Sequence, residues 1–201
     1  ATYNSDGTSL SNYWSTCCGQ EWTADEMGLR TDYTYDSLRR LESQMAAGIE
    51  TSFEYDGNGN KLTETISGGS LSLVTTYAYD LAGRLTSQVD SASLTTTWSY
   101  ASGGLIVTKT LPNGATEIAE NYTDGKIKSI TGTAVVPRYY SYDIDTDGAS
   151  WALVNSGSSN SPMWELTTYD FLGRVQSVET PTVGIVSNVY NTQGQLVQVV
   201  D

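Results

Sequence analysis

The stretch Thr75-Thr76-Tyr77-Ala78-Tyr79-Asp80-Leu81-Ala82-Gly83-Arg84-Leu85-Thr86-Ser87 decides how the chain is read, because it recurs. Its core is Tyr-Asp, two free positions, then Gly-Arg-Leu. The core returns almost unaltered as Tyr169-Asp170-Phe171-Leu172-Gly173-Arg174-Val175. Looser copies begin at Tyr3, Tyr35, Tyr55, Tyr100, Tyr122, Tyr142 and Tyr190. The first gap between these tyrosines is 32 residues and the later ones run from 20 to 27. A sustained period of this length marks a repeat architecture.

The residues around each core say what one unit folds into. Thr75, Tyr77 and Tyr79 alternate, as do Thr31, Tyr33 and Tyr35, and Thr51, Phe53 and Tyr55. Alternation of this kind belongs to a strand with one aromatic face. Glycine stands four residues after the tyrosine at Gly7, Gly59, Gly83, Gly104, Gly173 and Gly194. Arg39 takes that place in the second copy, Gly125 comes one residue early in the sixth, and Gly148 comes two late in the seventh. A glycine fixed after Asp-x-x reads as a turn needing positive φ. A strand-like run follows, as in Arg84-Leu85-Thr86-Ser87-Gln88-Val89. Each repeat is therefore strand, short turn, strand, a β-hairpin. Ser67 to Ser70, Asp90 to Ser93, Pro112-Asn113-Gly114, Ser156 to Ser159 and Pro181 to Gly184 supply the joints between hairpins. The expected fold is all-β: tandem hairpins side by side in a curved or spiral antiparallel sheet. The tyrosines are expected to form a ladder along it. Residues 1–201 read as a single array of about nine repeats, its least regular parts Tyr13 to Trp22 and Asp143 to Pro162. Distinct capping units are missing from both ends, so the array reads as a piece of a longer polypeptide.

Composition narrows the function classes. The net charge is −13, with 10 Lys and Arg and no His. Nucleic acid, bound through phosphate neutralisation, is excluded as a partner. An anionic membrane surface is disfavoured for the same reason, and no apolar run is long enough to span a bilayer. Fourteen Tyr and 5 Trp against 2 Phe favour half-exposed aromatic surfaces over a dry core. Cys17 and Cys18 are adjacent; they cannot staple distant segments and are too few for structural zinc.

The unit Thr-x-Tyr-x-Tyr-Asp-x-x-Gly-Arg-Leu resembles the RHS repeat, also called the YD repeat, from Tyr3 to Val200. The resemblance implies hairpins joined into a long sheet that spirals into a hollow shell. Such shells occur in bacterial polymorphic toxins, in cocoons of insecticidal toxin complexes, in wall-associated proteins and in teneurins. Toxin members enclose a C-terminal cytotoxic segment, and a self-cleaving aspartyl site closes the repeats. The Asp-Pro pair of that site is missing: Pro112, Pro137, Pro162 and Pro181 each follow a residue other than Asp. The implied role is structural: a shell segment of a secreted or cell-surface bacterial protein, enclosing a toxin. The alternative is an extracellular adhesion or carbohydrate-binding scaffold. The expected partners are the rest of the parent polypeptide, an enclosed toxin or a cell-surface glycan, and further copies joined edge to edge.

Candidate chemistry is sparse. Asp143-x-Asp145-x-Asp147-Gly148 resembles the first half of a calcium loop, three carboxylates that can converge on one hard cation. Its twelfth position is Val154, not the bidentate Glu of an EF-hand, and the same residues also read as an Asp-rich turn. Asp56-x-Asn58-x-Asn60 is a weaker version followed by Lys61. Arg40, Arg84 and Arg174 read either as cavity-lining cations for anionic cargo or as partners of the Tyr-Asp carboxylates and neighbouring Tyr rings. Asp36, Asp56, Asp80, Asp143 and Asp170 are expected to accept backbone N–H bonds in the turns. Without His there is no Ser-His or Cys-His arrangement, and no catalytic residue is assigned. Trp14, Trp22, Trp98, Trp151 and Trp164 are the residues that could stack on sugar rings.

Overall fold

The computed structural model describes residues 2–3, 9–15, 19–146 and 148–201, with side chains from residue 19 onward. Backbone proximity divides the chain into two compact units, Ala1–Thr97 and Trp98–Asp201. Strands β1 (Thr2–Tyr3), β2 (Ser9–Ser15), β3 (Gly19–Ala24), β4 (Arg30–Tyr35) and β5 (Leu41–Ala46) begin the first unit. β6 (Ile49–Tyr55), β7 (Lys61–Gly68), β8 (Leu71–Tyr79) and β9 (Leu85–Val89) continue it, and β10 (Thr95–Ala101) runs across the boundary. The second unit holds β11 (Ile106–Thr110), β12 (Thr116–Asn121), β13 (Ile127–Thr131), β14 (Arg138–Ile144) and β15 (Ser150–Ser156). It ends with β16 (Trp164–Tyr169), β17 (Val175–Thr180), β18 (Gly184–Tyr190) and β19 (Leu196–Val200). One 3-10 turn, Ser102–Gly104, is the only helical element among the described residues.

Within each unit the strands form an antiparallel meander. β4 pairs β5, β5 pairs β6, β6 pairs β7 and β7 pairs β8 in the first. β14 pairs β15, β15 pairs β16, β16 pairs β17 and β17 pairs β18 in the second. The fold is all-β and built of tandem hairpins, as the repeat spacing requires. The expected alternation is present: in β4 Thr31, Tyr33 and Tyr35 are half-buried while Arg30, Asp32 and Thr34 are exposed. Trp98 and Tyr100 hold the same places in β10.

A bulge interrupts the ladder at the end of most hairpins. Opposite Thr34-Tyr35 stand Ser43 and Leu41, so Glu42 has no cross-strand partner. Thr86 is skipped in the same way beside Ala78-Tyr79, and Gln176 beside Thr168-Tyr169. The extra residue bends the strand and turns the next side chains to the other face.

No hydrophobic side chain is buried among the described residues; only Ser129 and Asn155 are. An apolar residue of an inner strand is flanked by the strands on either side and left open above. Large apolar groups therefore stay exposed in both units, such as Leu71, Leu73 and Met45 in the first and Ile185, Leu196 and Val199 in the second.

Candidate functional site

The repeated turn is a five-residue loop held by one carboxylate. Asp80 N–H donates to Arg84 O at 2.9 Å and Gly83 N–H donates to Asp80 O at 2.9 Å. Asp80 Oδ1 accepts from the N–H groups of Ala82 and Arg84, at 2.9 and 3.0 Å. Asp80 Oδ2 accepts from Arg84 Nε at 2.7 Å, with Nη2 at 2.6 Å. The carboxylate satisfies donors that a tight turn would leave open. Asp36 with Arg40 and Asp170 with Arg174 repeat the arrangement. Asn60 replaces the arginine at Asp56, donating Nδ2 to Oδ2 at 2.8 Å. The positive φ falls where the glycine spacing puts it: +74° at Gly83, +76° at Gly173, and +64° at Arg39, where a side chain opposes that conformation.

These bonds lower the carboxyl pKa values. The Arg84 and Arg174 side chains are the leading cause at Asp80 and Asp170. The Asn60 carboxamide leads at Asp56, and the Arg40 backbone N–H at Asp36.

Between hairpins, three of the repeat tyrosines fasten their repeat to the one before it, while the Tyr122 phenol donates forward to Tyr140 O at 3.2 Å. Tyr55 donates its phenol to Leu41 O at 2.8 Å, Tyr190 to Val175 O at 2.8 Å and Tyr35 to Gln20 O at 2.9 Å. Leu41, Val175 and Gln20 each stand beside a bulge, where pairing to the following strand has ceased; the β5–β6 pairing stops at Ser43 and Ser52. The phenol thus satisfies a carbonyl that the bulge removes from the ladder. The arginine joins the same contact. Arg40 lies over the Tyr55 ring at 4.7 Å and donates Nη1 to Asp56 O at 2.8 Å, and Arg174 lies over Tyr190 at 4.4 Å. Lys61 over Tyr77 at 4.7 Å and Lys126 over Tyr142 at 5.1 Å are variants. The tyrosine ladder is thereby corrected. Among the described residues one tyrosine pair touches ring to ring, Tyr122 and Tyr142 at 6.3 Å, while Tyr55, Tyr77, Tyr142 and Tyr190 each carry a cation. Cations favour the ring faces that stacked rings would otherwise share.

Other expectations shift in register. Asp143 is a strand residue of β14 opposite Trp151, and its Oδ1 accepts from the N–H of Ile144 at 2.8 Å. Asp145, not Asp143, opens that turn: its N–H donates to Ala149 O at 2.7 Å and its O accepts from Gly148 N–H at 3.0 Å. Gly148 fixes the positive-φ position, so the opener lies three residues before it. Tyr122 likewise opens a turn, its N–H donating to Lys126 O at 2.8 Å, where other repeats use Asp. Asp147 lies outside the described residues, as do Cys17 and Cys18 and the side chains of Tyr3 and Trp14. Among the described residues no three His, Cys, Asp or Glu groups are clustered to hold a metal ion. Two further carboxylate-held turns sit at the opposite ends of the strands. Asp25 caps Met27 and Leu29, and Asp90 caps Ala92 and Leu94. Their signal was Asp followed three residues later by Gly28 or Ser93. The phenol clamp has no signal within one repeat, since it depends on the bulge.

Trp22 carries Arg30 at 5.0 Å and Trp98 carries Lys109 at 6.0 Å, so these two rings serve packing. Trp151 and Trp164 instead line one hollow of about 580 Å³ in the second unit. No helix among the described residues is long and apolar enough to cross a membrane.

Comparison with known proteins follows this geometry. Residues 61–201 match the family model of the teneurin YD-shell. No curated protein matches. The crystal structure of TcdB2-TccC3-TEV is similar at 13% identity and a TM-score of 0.60, over 94% of this chain and 13% of that one. TcdB2-TccC3 without its hypervariable C-terminal region is similar at 16% identity and a TM-score of 0.60, over 98% of this chain and 12% of that one. The Photorhabdus luminescens Tc holotoxin pore is similar at 15% identity and a TM-score of 0.54, over 94% and 13%. At these identities the likeness is one of fold, and the chain spans about an eighth of each matched chain. With Tyr-Asp hairpins repeated in each unit and the model matched over residues 61–201, the chain belongs to the teneurin YD-shell family.

Proposed function

We propose that this chain is a wall segment of a secreted or cell-surface shell protein, and that the completed shell encloses a polypeptide cargo, a toxin in bacterial members. The observation that carries the proposal is the absence of any buried hydrophobic side chain among the described residues of a sheet rich in apolar side chains. Burial of apolar surface is the main drive of folding, and a one-layer sheet lacks it until another surface covers a face. More wall and an enclosed chain would supply that surface. Family membership and the toxin-complex neighbours support the same reading. The role is structural rather than catalytic: the recurring Asp, Arg and Tyr groups are engaged in holding turns and joining hairpins. Limited proteolysis of the parent polypeptide tests it. A segment beyond the repeats should resist protease while the wall is intact and become labile once the wall is cut. Digestion at the rate of the free segment refutes enclosure.

A further inference from the structure

We infer that the hollow between β15 and β16 is a binding site for a short neutral saccharide, a site independent of the shell role. Trp151 pairs with Thr168, Leu153 with Leu166 and Asn155 with Trp164. Paired residues of an antiparallel ladder share a face, so these six side chains stand together. They lie opposite Tyr140 and Tyr142, which share their face with Val154 and Ala152. Asp145 completes the lining. The volume, about 580 Å³, is within the range of small-molecule sites, roughly 300–1,000 Å³.

The lining has the chemistry of a sugar subsite. The two indoles stand four residues apart along the ladder, about 13 Å at about 3.3 Å per residue, room for a ligand of a few rings. Leu153 and Leu166 floor the space between them. A pyranose presents apolar C–H faces, which suit indole and leucine, and a hydroxyl rim, which needs hydrogen-bonding groups at the edges. Those groups are present at both ends, Asn155 beside Trp164 and Thr168 beside Trp151. Asn155 is only 9% exposed. Its carboxamide makes no side-chain hydrogen bond among the described residues, yet no polar side-chain atom sealed from solvent lacks a partner. The amide therefore opens to the hollow, where its Oδ1 can accept from and its Nδ2 can donate to a ligand hydroxyl in place of water. Charge selects the class of sugar. The lining holds no Lys or Arg and one carboxylate, and the chain carries −13 overall. Acidic glycans, phosphates and fatty acids are thereby disfavoured.

The test titrates the intact chain with chitotriose, cellotriose and mannotriose, following tryptophan emission and saturation-transfer NMR. Heparin tetrasaccharide and a Leu/Phe-rich peptide serve as anionic and apolar probes. At least one neutral trisaccharide should bind saturably through its ring C–H protons. Trp164→Ala and Asn155→Ala should each weaken it tenfold or more, and Trp98→Phe should leave it unchanged. If Trp164→Ala loses its strand circular dichroism, Trp164→Phe should still bind at least threefold more weakly. Failure of all three sugars at tens of millimolar overturns the inference. So does binding that survives both the Trp164 and Asn155 changes, or occupation by the peptide or heparin in place of the sugars.

Discussion

Tyr55 separates the two parts of the clamp between hairpins. Its ring carries the Arg40 guanidinium at 4.7 Å and its phenol donates to Leu41 O at 2.8 Å. Tyr55→Phe keeps the ring and removes only the donor, leaving the bulge carbonyl without its bond at a cost of about 1 kcal/mol. Tyr55→Ala removes the ring as well. Half of the roughly 150–200 Å² an aromatic side chain covers, at about 25 cal/mol per Å², is about 2 kcal/mol. The stacked cation adds about 0.5–1 kcal/mol, so Ala, which also loses the phenol bond, should cost about 3.5–4 kcal/mol against about 1 kcal/mol for Phe. For a cooperative unit of about 100 residues each kcal/mol moves Tm by roughly 4–8 °C. Thermal melts followed at 218 nm should therefore fall by about 6 °C for Phe and about 20 °C for Ala. Arg40→Gln should be additive with Phe and non-additive with Ala by about 0.5–1 kcal/mol. A Phe variant that melts with the wild type, or an Arg40–Ala pair that adds, would refute the clamp.

Four further outcomes follow from the turns and the edge. Arg39→Gly should raise stability by about 1 kcal/mol in urea melts, because φ is +64° there; a loss would mean that the arginine side chain outweighs its backbone strain. Gly132→Ala should cost more than about 2 kcal/mol, since the added Cβ would sit 2.1 Å from Thr116 O, whereas Gly125→Ala has open space and should cost only its φ penalty. Asp36, Asp56, Asp80 and Asp170 have folded pKa values below the ordinary 3.8. Their stabilisation is therefore complete above that value and is lost as pH falls through the lower folded values; Tm should drop below pH 4 and less steeply in Asp80→Asn, and a flat profile would show the turns do not depend on ionised carboxylates. β19 pairs only β18 among the described residues and is exposed throughout, so Val199→Lys should reduce concentration-dependent light scattering, and an unchanged signal would place self-association elsewhere.

The hairpin was legible because its determinants are local. Gly83, Asp80 and Tyr79 state turn position, cap and strand end within five residues, and the structure uses each as spaced. Register was less legible. Asp143 looked like a turn opener because it follows Tyr142, but the conformational demand belongs to Gly148, which selects Asp145. The bulge was illegible for a different reason. Nothing in Leu41-Glu42-Ser43 announces that one residue lacks a partner, since that depends on how two strands meet. The Tyr55 phenol and its carbonyl come from different hairpins, so their meeting emerges only with the sheet. Trp151 and Trp164 were visible as residues but not as neighbours, because their shared face is set by the pairing of β15 with β16.

The way these hairpins are fastened has a mechanical consequence. The phenol of Tyr55 reaches back to Leu41 and the Arg40 guanidinium reaches forward to Asp56, and neither spans more than one repeat boundary. Tension applied along such a chain has no interlocked core to resist it all at once. It should peel hairpins one by one, each release lengthening the chain by about 70 Å for about 21 residues at roughly 3.4 Å apiece. A pulling trace would be a row of small, even teeth. A wall of this kind yields locally under load and can reseat a lost hairpin without unravelling its neighbours.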